Sequence, residues 1–227
     1  MTTIYCFSGS GHSLAVSRSL SQILECEIIM INNVNHTSNS DTAVIVFPVY
    51  CQNIPDPVKK FMARLKSKHI ALIATYGKIS YGNVLYEAKQ ILQGEVIAGA
   101  CIPIGHTFLD GDFDFDSEIL TAIAKRINEP VKATIPKAKK SPLANIFPGL
   151  RSRIGVRIIK DENCNNCGLC EKNCPVGAIH GGNTNSQCIR CMHCVTNCPV
   201  KALHYKNSWI LRKYLNSYYN DEYVLYL

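Results

Sequence analysis

The sequence predicts an α/β protein. An open, doubly wound parallel sheet occupies residues 1–130, and a second, unlike unit organised around metal follows. Three observations carry this. β-Prone runs alternate with helical patterns through the first 127 residues, which is how a parallel sheet with helices on both faces reads. The first strand ends in a glycine- and serine-rich turn, Ser8-Gly9-Ser10-Gly11-His12-Ser13. Eight of the 12 cysteines fall between Cys164 and Cys198, while Cys6, Cys26, Cys51 and Cys101 are scattered ahead of them. With 227 residues and 47% hydrophobic content the chain can bury a core, which excludes wholesale disorder. Its cysteine density is too low for a small disulfide scaffold.

The elements follow in order. Residues 3–7 form a short strand, and Val16, Leu20, Ile23 and Leu24 keep helical spacing after the turn. Residues 28–31 read as the second strand, 32–41 as a polar loop, and 43–47 as a buried strand. Asp56-Pro57 reads as a cap with proline at the first helical position, ahead of the stripe Val58, Phe61, Met62, Leu65. Residues 70–74 form the fourth strand, 83–93 a helix stopped by Gly94, 96–104 the fifth strand and 117–127 the last helix. Cys6, Cys26 and Cys101 sit in or beside strands and read as inert core residues. Residues 1–7 carry no signal-peptide pattern and no apolar run spans a bilayer, so a cytoplasmic protein is expected.

Right-handed crossovers put the loops after the strands along one edge, where open sheets bind ligands. Three such loops are polar and turn-forming: 8–13, 48–55 and 76–82. In the first, Gly9 and Gly11 allow tight turning, Ser8, Ser10 and Ser13 offer hydroxyls, and a helix N-terminus offers N–H groups to an anion. Leu14 replaces the third glycine of a dinucleotide loop, and no Walker lysine follows. A loop of this kind suits a terminal phosphate monoester; the plain alternative is a serine-rich helix cap.

Residues 7–13 resemble the FMN phosphate loop of flavodoxins. Phe47-Pro48-Val49-Tyr50 with Ile54-Pro55, and Thr75-Tyr76-Gly77 with Tyr81-Gly82-Asn83, resemble that family's two isoalloxazine loops. The resemblance covers roughly residues 1–130 and is strongest to flavodoxin–ferredoxin fusion proteins of anaerobic microbes. It implies a flavodoxin-like sheet of order 2-1-3-4-5 and FMN as ligand. The phosphate would sit on Ser8, Ser10, Gly11, His12 and Ser13. The ring would lie among Pro48, Val49, Tyr50, Cys51, Gln52 and Asn53 on one side and Tyr76, Gly77, Lys78, Tyr81, Gly82 and Asn83 on the other. Tyr50 and Tyr76 are candidates to stack on the ring, Tyr50 foremost. Cys51 reads as a small packed residue. Two positions depart from the family: His12 replaces an asparagine and Lys78 a glycine. A lysine reaching the flavin N1/C2 edge would favour the anionic reduced form; a solvated loop lysine is the alternative.

The cysteine array is the strongest signal. Cys164, Cys167, Cys170 and Cys174-Pro175 form a C-x2-C-x2-C-x3-C-P run, which Cys188, Cys191, Cys194 and Cys198-Pro199 repeat 24 residues on. In two-cluster ferredoxins the fourth cysteine of each run ligates the other cluster. Cys164, Cys167, Cys170 and Cys198 are therefore expected to hold one [4Fe–4S] centre, and Cys188, Cys191, Cys194 and Cys174 the second. Zinc sites use two ligand pairs across a longer spacer and fit poorly. His180, His193 and His204 lie nearby, but the cysteines already complete both sites. Residues 160–206 resemble a small α+β two-cluster ferredoxin domain.

Residues 131–159 read as an irregular basic linker, broken by Pro136, Pro142, Pro148 and Gly149 and free of acidic residues. It could dock an acidic electron donor or be a solvated connector. Residues 207–227 form an aromatic tail with Trp209 and five of the 11 tyrosines, a sixth, Tyr205, lying just ahead of it; it is expected to fold back, partly as a helix. Asp110, Asp112 and Asp114 form an acidic loop near the fifth strand's end. The combination predicts an iron–sulfur flavoprotein that moves electrons between two [4Fe–4S] clusters and FMN. Its partner would be a redox protein or a small-molecule acceptor, with no nucleic acid and no membrane. A dedicated carrier with no turnover of its own is the rival reading. The formal charge of +7 would be largely offset by the anionic cofactors.

Overall fold

The computed structural model describes residues 1–31, 40–109, 114–146 and 148–227. The acidic-loop residues Asp110 and Asp112 and most of the polar loop at 32–41 lie outside this set; Asp114 is exposed. Five parallel strands form the main sheet: β1 (Thr2–Cys6), β2 (Ile28–Met30), β3 (Thr42–Pro48), β4 (His69–Tyr76) and β5 (Glu95–Pro103), in the order β2-β1-β3-β4-β5. This is the flavodoxin-like doubly wound order. The central strands are buried on both faces, and successive side chains enter opposite cores. Tyr5, Ile45, Phe47 and Leu72 meet α2 (Asp56–Met62) and α3 (Val84–Ile91) on one face. Ile4, Val44, Val46 and Ile73 meet α1 (His12–Leu24) and α4 (Glu118–Asn128) on the other.

Several boundaries shift. Helix α2 starts at Asp56 itself, with Pro55 in the cap position and no side-chain cap bond. Helix α3 ends at Ile91, with Leu92 in the cap position; Gly94 is instead required by close approach, because a Cβ there would meet the Ser67 carbonyl.

The basic stretch is more ordered than its prolines imply. Ala133 donates its N–H to the Val96 carbonyl, and Ala133 and Ile135 are buried against the sheet. A 3-10 turn spans Pro142–Asn145, and α5 spans Pro148–Gly155. Proline is tolerated in the first turn of a helix because its missing N–H would have no partner there. Strand β6 (Val156–Lys160) then opens the cysteine unit. That unit contains α6 (Leu169–Lys172), β7 (Ile179–His180), β8 (Asn183–Thr184), α7 (His193–Thr196) and β9 (Leu203–Asn207), with β9 antiparallel to β6.

The tail returns to the first unit. After α8 (Trp209–Ser217), β10 (Val224–Tyr226) adds to the main sheet as an antiparallel edge strand on β5, with Val224 opposite Cys101. The cysteine unit is thus spliced between two strands of one sheet. Among the described residues no helix is long and apolar enough to cross a membrane.

Candidate functional site

The phosphate-type loop leaves β1 at the carboxyl edge of the sheet. Gly11 adopts φ 98° and caps α1 without a side-chain cap bond, and a helix N-terminus directs its first-turn N–H groups outward, where an anion is favoured. Ser10 and the half-buried His12 line a cavity. Ser8 is buried, and the Ser10 hydroxyl accepts from Thr107 at 3.1 Å. The Ser13 hydroxyl is buried and shares a 2.8 Å hydrogen bond with Thr75. Gly9 is placed by close approach, since the Cys191 carbonyl group occupies the space a Cβ would need.

The two ring-type loops converge. In the loop at 48–53, Pro48 ends β3, the Val49 N–H bonds to the Thr75 carbonyl, and Tyr50 and Asn53 exchange both backbone hydrogen bonds. Cys51 and Gln52 at the tip have φ of 51° and 63°, a two-residue turn that normally takes glycine or asparagine. Cys51 is exposed, a correction to the packed position expected of it, because the tip turns its side chain outward. Opposite, Gly77 abuts His106 and Gly82 abuts Gln52. Lys78, where resemblance implies glycine, has φ 51°.

Much of this pair of loops is bonded to the chain's own later segments. The Gln52 side chain accepts from the Ser141 N–H at 2.8 Å, and the Asn53 side chain bonds to the Ala144 carbonyl and to Lys140. Lys140 also reaches Glu87 at 2.7 Å. The Asn220 N–H donates to the Lys78 carbonyl, and Tyr81 reaches Glu222 at 3.2 Å. Tyr76 is drawn into the core, 2% exposed, with its hydroxyl donating to the Glu222 carbonyl at 2.7 Å; it is not presented to the crevice. Asn83 is buried and accepts the Ala138 N–H. Tyr50 is partly buried, and burial together with neighbouring Cys191 pushes its hydroxyl well above the usual tyrosine range.

The cysteine unit repeats in space as it does in sequence. Left-handed backbone recurs 24 residues apart at Asn166 and Arg190, Gly168 and Met192, and Gly177 and Lys201. Ala178 donates its N–H to the Cys174 sulfur at 3.2 Å, and Ala202 to the Cys198 sulfur at 3.3 Å. Both alanines are fully buried, as close backbone approach to a sulfur requires. Cys174, Cys188, Cys191 and Cys194 line one cavity. Burial pushes the Cys191 thiol up to about 12 and Cys194 up to about 11, with sulfurs of the same four adding to it. In the other group, Cys170 is raised by burial and feels Cys164. Among the described residues no three His, Cys, Asp or Glu are gathered as a site for a single metal ion. The histidines are engaged elsewhere: His204 with Asp161 at 2.6 Å, His180 with Glu171 at 3.5 Å, and His193 with Asn197.

A set of residues that the sequence does not single out completes the site. The segment after β5 places His106 and Thr107 beside Ser10 and His12, and Met192, Val195, Thr196 and Tyr205 close the same cavity from the cysteine unit. The His106 Nδ1 accepts the Phe108 N–H at 3.2 Å, and burial, then the charge of His12, lowers its pKa to about 4. It is therefore a neutral imidazole with Nε2–H as its donor. The available signal was positional: this loop also leaves the carboxyl end of a parallel strand.

No curated protein matches the chain. Solved structures it resembles include a putative flavoprotein from Bacteroides uniformis, at 14% identity and TM-score 0.42, covering 55% of this chain and 97% of that one. The Trp repressor binding protein from Bacillus subtilis follows at 13% and 0.37, covering 58% and 99%. An NAD(P)H:quinone oxidoreductase from Methanothermobacter marburgensis stands at 10% and 0.31, covering 56% and 93%. Residues 157–180 match the 4Fe-4S binding domain family, and the match falls on the first copy of the cysteine repeat.

Proposed function

We propose that this chain is an electron-transfer iron–sulfur flavoprotein that moves electrons between two [4Fe–4S] clusters and FMN. The observation that supports the proposal is the contact between Gly9 of the loop after β1 and Cys191 of the cysteine repeat, which would set the two kinds of redox site side by side. The match to a 4Fe-4S domain covers one run; the second is supported by its 24-residue repetition of backbone, spacing and N–H···S bonds. Cys164, Cys167, Cys170 and Cys198 would hold one cluster, and Cys174, Cys188, Cys191 and Cys194 the other. The uncapped start of α1 with Ser8, Ser10, Gly11 and His12 would hold the FMN phosphate. FMN supplies two-electron chemistry and each cluster one-electron chemistry. The chain's own part is to hold thiolates against buried N–H donors and to fix the flavin-side loops.

The acceptor reading divides in two. Reduction of a small molecule needs an open flavin edge, whereas here the ring-type loops are bonded to residues 138–144 and 220–222. That covering favours the second reading, a carrier that exchanges electrons with a partner protein. Anaerobic purification with iron and FMN quantitation is the test. About eight irons and one FMN per chain are expected; zinc with no visible absorbance would overturn the proposal. Mixing the reduced protein with small quinones and with one-electron carrier proteins then separates enzyme from carrier.

A further inference from the structure

The two cysteine runs are copies of one fold, so each serves as the internal control for the other. They differ in surroundings. At seven of the eight positions from 164 to 171, the residue is more exposed than its partner 24 residues on; the thiol positions Cys170 and Cys194 are alike. Cys167 is exposed where Cys191 is partly buried, and Cys164 is partly buried where Cys188 is buried. Same spacing and same backbone leave the neighbouring unit as the cause. The second run is the one pressed onto the sheet's carboxyl edge. Ile189 and Tyr50 pack on the same apolar core beneath the ring-type loops, and the Cys191 carbonyl fills the space above Gly9. Met192, Val195 and Thr196 wall the cavity that Ser10 and His12 line.

Resting on the function proposed above, we infer that the quartet Cys174, Cys188, Cys191 and Cys194 is the flavin-side centre, joined to the crevice through Tyr50 and Gly9. The quartet Cys164, Cys167, Cys170 and Cys198 is the outward port, where a one-electron carrier protein docks. Two one-electron deliveries from that carrier, with two protons from solvent, account for one two-electron reduction of the flavin, and the carrier is oxidised twice. The crossed use of Cys174 and Cys198 ties the two centres together, so the path runs port, inner centre, crevice, in either direction.

Iron release tests the assignment without any measure of turnover. The FMN-loaded, anaerobic protein is treated with an iron chelator, and release is followed by absorbance. Two phases of about four irons each are expected, the fast one from the outward quartet. Removing FMN is expected to accelerate the slow phase alone. Cys167→Ser should abolish the fast phase and keep the slow one, and Tyr50→Ala should accelerate only the slow one, which carries the test if the cysteine variant does not fold. Acceleration of the fast phase by FMN removal or by Tyr50→Ala overturns the assignment, as does a single phase of all the iron. A protein with no iron or no FMN instead fails the function itself, and the two failures are read from the same quantitation.

Discussion

Replacing Gly9 with alanine probes the junction most directly. An added methyl would overlap the Cys191 carbonyl oxygen and lie 2.6 Å from its carbon and 2.8 Å from Cys191 Cβ, where ordinary contact begins at 3.4 Å. These are main-chain and adjoining atoms, so no rotamer change relieves the overlap, and one loop must retreat. Overpacking of this kind costs about 1–3 kcal/mol, and in a chain of this size each kcal/mol lowers Tm by about 2–4 °C. The expected fall is therefore about 2–12 °C, read by circular dichroism under anaerobic conditions. The lost seating also frees the loop around Arg190, whose side chain bonds to the Val156 carbonyl and Thr184, so trypsin should cut there faster. Gly11→Ala is the control. It meets no neighbour but must hold φ 98°, so it should cost about 1–2 kcal/mol without exposing Arg190. A Gly9→Ala protein with wild-type Tm and wild-type cleavage at Arg190 would refute the argument that the two units touch there.

Other expectations concern the covering segments. Lys140→Met removes the hydrogen bond to Asn53 and the hydrogen-bonded ion pair with Glu87, and should lower stability by about 1–2 kcal/mol, seen as a lower urea midpoint at constant slope; a double cycle with Glu87→Gln should be less than additive. Deleting residues 221–227 removes β10 and the Tyr76–Glu222 bond. It should uncover the β5 edge and produce concentration-dependent light scattering; a monodisperse product would contradict this. His106 titrates near 4 when folded against 6.5 unfolded. The stability from its neutral form is thus complete above pH 6.5 and is lost as pH falls toward 4, by up to about 3 kcal/mol. His106→Gln should flatten the stability profile across that window, and superposable profiles would count against it.

The sheet was legible because strands buried on both faces must read as continuous apolar runs, as residues 43–47 and 70–74 do. The cysteine repeat was legible because a cluster's ligand spacing is encoded locally. What stayed hidden was set by tertiary contact. Nothing in Val224-Leu225-Tyr226 distinguishes a sheet-edge strand from the rest of an aromatic tail, since its partner Cys101 lies far back in sequence. The basic stretch looked unstructured because Pro136, Pro142, Pro148 and Gly149 interrupt every helical or strand pattern in it, yet Ala133, Ile135, Ala144 and Val156 are buried and pin it. Tyr76 looked like a crevice residue by position, but strand alternation and the Glu222 carbonyl turn it into the core. Gly9 read as a ligand-side glycine, and its neighbour proved to be the chain itself.

The splice of the cysteine unit between β5 and β10 has a consequence for how the chain matures. The first unit's sheet cannot be completed until residue 226 has been synthesised, by which time every cysteine of the repeat has been made. Pairing β10 with β5 then closes a loop that contains the whole cysteine unit. When that unit is compact, the effective loop is short; when it is unfolded, the loop lengthens, at about 0.6 kcal/mol per doubling of its length. The thermodynamic penalty is modest, but long-range closure also slows folding. If the cysteine unit compacts on the clusters proposed for it, supply of iron and sulfide would thus govern how quickly the first unit seals its sheet.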